Sequence, residues 1–174
     1  MKLDFPSQSL EIDAWHGTNS QNALGIQSNG FVNEKISTQG IFCAGVWTSD
    51  SLEGCNQSLN GVALQVRYNS RKSLLTYNDN YRGDGNFPID GLPGFTQCQK
   101  AFVDDYLKRY ESFGESCSLL FRKALLVNGY DAVVVYNNHS ISGDAPITFY
   151  CLLDSERIEI VQAVKANSRQ GVTL

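Results

Sequence analysis

Charge is scarce in this 174-residue chain: Asp, Glu, Lys and Arg together make up only 18%, below the ~25% usual for soluble domains. Asn, Gln, Ser and Thr must therefore do much of the solvating. Lys and Arg number 14 against 18 Asp and Glu, for a formal net charge of −4. That balance argues against holding nucleic acid through a general basic surface. No apolar run approaches the ~18–20 residues needed to span a bilayer, so no membrane association is expected. Met1–Phe5 carries no apolar segment of the kind found in a cleaved leader. The five cysteines (Cys43, Cys55, Cys98, Cys117, Cys151) form no C-x-x-C pair and read as reduced thiols rather than a disulfide frame. With only His16 and His139 and no paired spacing, no metal site is expected.

What is present is enough apolar material for a core. The chain is 42% hydrophobic and 11% aromatic, which excludes disorder as the default state. The length suits one domain spanning residues 1–174. Leu10, Ile12, Ala14 and His16 alternate with polar residues and predict a half-buried strand ending at His16. A helix is predicted over Ser20–Ser28, with Thr18 and Gln21 at capping-box spacing and Asn29-Gly30 as its stop. Further helices are predicted from Asp50–Glu53 to about Leu59, from Thr96 through Tyr110, and over Leu119–Asn128 closed by Gly129. Val62–Tyr68, Ala132–Tyr136, Ile147–Leu153 and Arg157–Val161 read as strands. Asn69–Gly94 shows no regular pattern. The sum is α+β, with strands dominating both ends.

The segment with most chemical content is Trp15-His16-Gly17-Thr18, followed later by Gly45-Val46-Trp47-Thr48-Ser49-Asp50. A histidine at a strand end, backed by glycine, lets a ligand approach both an imidazole and an unhindered backbone. A planar amide-bearing ring could pair with Gly17 and stack on Trp47. The alternative is that His16 is a satisfied core histidine and Trp47 a packing residue. Arg67, Arg71, Lys72 and Arg82 read either as a solvated face or as partners for a phosphate. Thiol catalysis by Cys43 or Cys55 with His16 lacks an orienting third residue.

These motifs resemble those of the diphtheria-toxin-like ADP-ribosyltransferases, the family that includes the catalytic domains of poly(ADP-ribose) polymerases. The shared features are Trp15-His16-Gly17-Thr18, the helix Asn22-Ala23-Leu24-Gly25-Ile26-Gln27-Ser28-Asn29-Gly30-Phe31, and Gly45–Asp50. Leu125–Tyr136 and Tyr150–Ile158 look like the family's closing strands. The resemblance implies two facing, mostly antiparallel β-sheets forming an NAD cleft, with peripheral helices. It implies NAD as ADP-ribose donor, with His16 on a ribose hydroxyl, Gly17 on the nicotinamide carboxamide, Trp47 stacked on nicotinamide, and Thr18 and Ser49 adding contacts. The family's usual glutamate falls on Phe149, or on Thr148 with a one-residue slip, so transfer of a single unit is implied rather than a polymer. Asp144, Asp79, Asp84 and Glu115 are the candidate replacement acids, while Glu156 and Glu159 read as surface charges. The expected partner is a protein acceptor, possibly a host protein, with the chain acting as a monomer in the cytoplasm or delivered into a host cytosol. An atypical insert at about 77–117 is the candidate for target recognition. The alternatives are a catalytically silent NAD- or ADP-ribose-binding module and a nucleic-acid-modifying relative.

Overall fold

Glu11 and Asp13 are exposed while Ile12 and Ala14 are buried, the period-two pattern of a strand with one wet face. The computed structural model describes residues 5, 7–33, 43–55, 61–78, 117–137 and 147–165. Strand β1 (Ser7–Asn19) leads into helix α1 (Ser20–Asn29), and β2 (Val46–Ser49) into the one-turn helix α2 (Leu52–Cys55). Strand β3 (Gly61–Asn78) is followed by helix α3 (Cys117–Val127), then β4 (Ala132–Asn137), β5 (Thr148–Leu152), a 3-10 turn (Ser155–Arg157) and β6 (Glu159–Lys165). No described helix is long and apolar enough to cross a membrane.

The expected pair of facing sheets with an open cleft is not what forms. The described strands make a single six-stranded sheet in the order β1-β2-β5-β4-β3-β6, and β1 also pairs with β3. The first five strands therefore close into a barrel, with β6 as an outrigger. The cause is the length of β3. Its 18 residues pair with β1 along one edge, while the other edge takes β6 at Val62–Arg67 and β4 at Ser73–Asn78. The β3–β4 ladder is parallel and the others are antiparallel.

Closure gives the sheet an inner and an outer core. Ile12, Ala14, Val46, Leu64, Val66, Tyr68, Ala132 and Leu152, drawn from all five barrel strands, fill the inside together with Ala23 and Phe31. On the outside, α3 covers β4 and β5, and Leu125, Tyr130, Val133, Val135 and Cys151 pack together. Tyr130 ties the N-terminal segment to this layer, its hydroxyl accepting from Phe5 N (2.7 Å) and donating to Phe5 O (3.1 Å). Arg122 of α3 donates to Leu153 O and Asn33 Oδ1, both at 2.7 Å.

Element ends differ from the sequence reading for local reasons. Helix α1 is capped by Asn19, whose Oδ1 accepts from Asn22 N at 2.7 Å, not by Thr18. It stops at Gly30, at φ 73°, which suits a residue without a Cβ. Strand β3 runs on through residues 69–78, where no regular pattern was expected, because a buried carboxylate supports it. Asp131 accepts from Ser70 Oγ (2.5 Å), Arg71 N (2.9 Å), Lys72 N (3.2 Å) and Arg157 Nη1 (2.7 Å). Arg157, expected inside a strand, instead closes the 3-10 turn and sends β6 off two residues later. The expected helix at 96–110 and most of the insert lie outside the described residues.

Burial alone would raise the Asp131 pKa, but the bonds from Ser70, Arg71, Arg157 and Lys72 outweigh it and hold the carboxyl below its usual range. Removing an ionised partner leaves Arg157 and two backbone N–H groups uncompensated. Asp131→Ala should therefore cost about 3–5 kcal/mol of unfolding free energy, measured by urea denaturation. Because the folded pKa is depressed, the carboxylate's contribution is present above the unfolded value of about 3.9 and is lost as pH falls through the folded one. The stability gap between wild type and Asp131→Asn should therefore narrow on acidification.

Candidate functional site

Register decides which side chains can meet. Trp15 pairs with Ser49, so His16 stands opposite Thr48, and Thr48 in turn pairs with Tyr150. Neighbouring residues on a strand point to opposite faces. His16, Thr48, Tyr150 and Tyr136 thus share the inner face, while Trp15, Trp47, Ser49 and Phe149 share the outer one. Thr18 lies inward, two residues past His16 and opposite Val62.

His16 is half-buried, its ring edge-on to Phe31 with centroids 5.2 Å apart. Its Nδ1 is 2.8 Å from the Trp47 carbonyl. A carbonyl only accepts, so the neutral ring carries its proton on Nδ1 and Nε2 keeps its lone pair. Burial lowers the His16 pKa, and the bond to Trp47 only partly opposes this. The group is a fixed, neutral, hydrogen-bond-accepting imidazole.

The Trp47 ring is elsewhere. Its Nε1 donates to Cys43 O at 3.1 Å, and the indole packs with Phe149 against the outer core. The structure brings together the His16 ring and the Trp47 backbone, with the two rings on opposite faces of the sheet. Phe149 pairs with Ser49 on one side and Val135 on the other. Ser49 is buried and donates to Ser51 O at 2.5 Å, with Cys55 Sγ 3.4 Å away.

Gly17 faces α2. A Cβ there would run into the Cys55 carbonyl oxygen, so the close approach of α2 requires the glycine. Cys55 Sγ donates to Trp15 O at 2.7 Å and receives the Gly17 amide. Burial pushes the Cys55 thiol up, against the pull of Ser49 and Gly17. The backbone expected to be open at Gly17 thus has a neutral thiol seated on it.

The acidic and basic candidates divide clearly. Glu156 and Glu159 are exposed, and Glu159 is 3.9 Å from an exposed Arg67. Lys72 donates to Asn128 O at 3.2 Å and sits 3.8 Å over the Tyr130 ring, a structural position. Asp79, Asp84, Arg82, Glu115 and Asp144 lie outside the described residues. Among the described residues no group of three or more His, Cys, Asp or Glu could hold a metal ion. The sequence reading missed Tyr150 and Tyr136 as inner-face groups, and weighed Cys55 only as a nucleophile, not as a group seated on Gly17. The alternation of Thr148, Tyr150 and Leu152 carried a signal for Tyr150, whereas nothing local placed Cys55 against Gly17.

No family model matches the chain, and no curated protein matches it. Among solved structures, a chain of the M. tuberculosis MbcT–MbcA toxin–antitoxin complex is similar, with a TM-score of 0.48 and 11% identity over 92% of this chain and 86% of that one. A likeness this weak says nothing about what this chain binds.

The depressed His16 pKa has a checkable consequence. The unfolded chain takes up the proton first, so stability is full above about pH 6.5 and declines as pH falls toward the folded value. Nitrogen NMR of the imidazole should show the Nδ1–H tautomer at neutral pH and a titration midpoint below the ordinary one. Gly17→Ala should displace α2 and cost about 1–3 kcal/mol, read by thermal or urea unfolding.

Proposed function

We propose that the chain binds NAD at the inner-face end of β1 and transfers a single ADP-ribose to a protein acceptor, releasing nicotinamide. The carrying observation is the His16 imidazole, locked by the Trp47 carbonyl with Nε2 left as an acceptor on a half-exposed face. An acceptor nitrogen beside an aromatic edge suits a ribose hydroxyl, which can donate its O–H to that nitrogen. The resemblance of Trp15–Thr18 and Gly45–Asp50 to ADP-ribosyltransferase motifs supports NAD as the donor.

Within this reading Trp47 is a positioning residue acting through its carbonyl, and Thr18 lines the same face beside His16. Gly17 and Ser49 lie on the outer face, where they seat Cys55 and α2 behind the end of β1 and so support His16 by position. Phe149 carries no charge, consistent with transfer that stops at one unit. No metal enters the proposal, and the chain acts as a monomer in the cytosol of its own cell or of a host. A second reading, a silent NAD- or ADP-ribose-binding module, is favoured by the apolar packing of Phe149 and by the thiol on Gly17.

Purified protein incubated with labelled NAD and cell lysate separates the two readings. The transferase releases nicotinamide and labels protein; the silent module binds dinucleotide and does neither. His16→Ala should weaken NAD binding about tenfold, the worth of one well-placed hydrogen bond. Unchanged affinity by calorimetry would remove His16 from the site.

A further inference from the structure

Breaking the bond between a sugar and a cationic ring leaves positive charge growing on the sugar, and a fixed anion beside it is the strongest aid a protein supplies. The strand position expected to hold that anion carries Thr148 and Phe149. Most acids of the described residues are turned elsewhere. Glu11 and Asp13 lie on the wet outer face of β1, Asp131 is consumed by its four donors, and Glu156 and Glu159 are exposed around the start of β6.

Asp50 is different. It is exposed, it follows β2 directly, and it is bonded to Thr148 in both directions. Asp50 N donates to Thr148 O at 3.0 Å, and Thr148 N donates to Asp50 Oδ2 at 3.0 Å. A carboxylate from the neighbouring strand thus stands on the backbone position where β5 has none. Among the described residues Oδ1 has no hydrogen-bond partner. Tyr150 lies on the inner face in the same cross-strand row as His16, with Thr48 between them. Burial raises its phenol, and the charge of Asp50 is near enough to raise it further, so Tyr150 stays an O–H donor.

We infer that Asp50 is the catalytic carboxylate of this site, anchored through Oδ2 on the Thr148 amide with Oδ1 left to meet the reacting sugar. The inference rests on the NAD reading above. The C1′–N bond breaks with its electron pair staying on the pyridinium nitrogen, which leaves as neutral nicotinamide. The Asp50 carboxylate balances the charge on C1′, the acceptor's lone pair forms the new bond, and the acceptor's proton passes to Asp50 and then to water.

Two measurements on the full chain test it. By calorimetry, wild type should prefer oxidised NAD, with its cationic ring, over the reduced dinucleotide, and Asp50→Asn should lose that preference while keeping the Thr148 bond through its amide oxygen. In turnover, Asp50→Asn should release nicotinamide about a hundredfold more slowly, and Asp50→Glu, which keeps the charge, should regain part of the rate. An Asp50→Asn variant with wild-type turnover and an intact preference overturns the assignment but leaves the NAD reading standing. Equal losses in both variants also overturn it. Wild type that binds no NAD overturns the NAD reading itself, and the role of Asp50 with it.

Discussion

The architecture depends on one buried carboxylate. Asp131 sits where β3 stops pairing with β6 and starts pairing with β4, and its donors come from both sides of that junction. Ser70, Arg71 and Lys72 belong to the turning point of β3, and Arg157 to the turn that launches β6. The main chain of Asp131 joins in: its carbonyl accepts from Tyr68 Oη and Leu153 N, both at 3.0 Å. A strand changing partners leaves backbone donors without a ladder, and a buried unpaired donor costs as much as a lost hydrogen bond. One side chain with several acceptor positions settles these debts, and Arg157 neutralises the charge that the arrangement buries. Asp131 satisfies the donors of β3 between its β6 and β4 partners, while β1 pairs with the same stretch along the other edge.

Closure in turn dictates where chemistry can occur. An open pair of sheets offers a cleft between two faces, whereas a closed barrel offers a filled interior and a rim. The middle of this interior is taken by Ile12, Ala14, Leu64, Val66 and Leu152, all buried. The inward polar side chains His16, Thr48, Tyr136 and Tyr150 gather at one part of the wall, where β1, β2, β5 and β4 lie side by side. His16 and Tyr150 are only half-buried, so this stretch of wall reaches solvent while the apolar middle does not. A ligand there meets polar side chains on adjacent strands whose spacing is fixed by backbone ladders, the rigid support that a binding constellation needs.

Much of this was legible in the residues, at the level where local rules operate. The alternation of Leu10, Ile12, Ala14 and His16 placed His16 on the buried face of its strand, and Gly30 and Gly129 marked helix ends that both adopt positive φ. The same alternation, carried across to Gly45–Asp50, held the information that Trp47 and His16 face apart. Extracting it required the pairing of Trp15 with Ser49, which no local pattern supplies. Barrel closure was hidden for a similar reason. It follows from β3 being 18 residues long, and residues 69–73 (Asn-Ser-Arg-Lys-Ser) look like a loop until β1 and the distant Asp131 carboxylate supply their partners. Cys55 on Gly17 and Asp50 on Thr148 are likewise contacts between segments distant in sequence.

The pairing of Asp50 with Thr148 shows how a sheet can place a carboxylate beside a strand position that carries none. In an antiparallel pair, a side chain one residue beyond the end of one strand lies beside the first residue of its neighbour. A carboxylate needed at the start of β5 can therefore be carried by β5 itself or by the residue just past β2, and the charge ends up within a few ångströms either way. The difference lies in how it is held. A side chain rooted in the strand is oriented by its own rotamer, whereas Asp50 is oriented by an amide of the partner strand, which takes one oxygen and leaves the other available. That arrangement fixes the carboxylate while keeping it exposed, and exposure weakens its field on any nearby charge unless a bound ligand excludes the water. Under the proposed reading, an acid held this way acts fully only with a ligand in place, which gives the apolar contacts around His16, Phe31 among them, a part beside the charged groups.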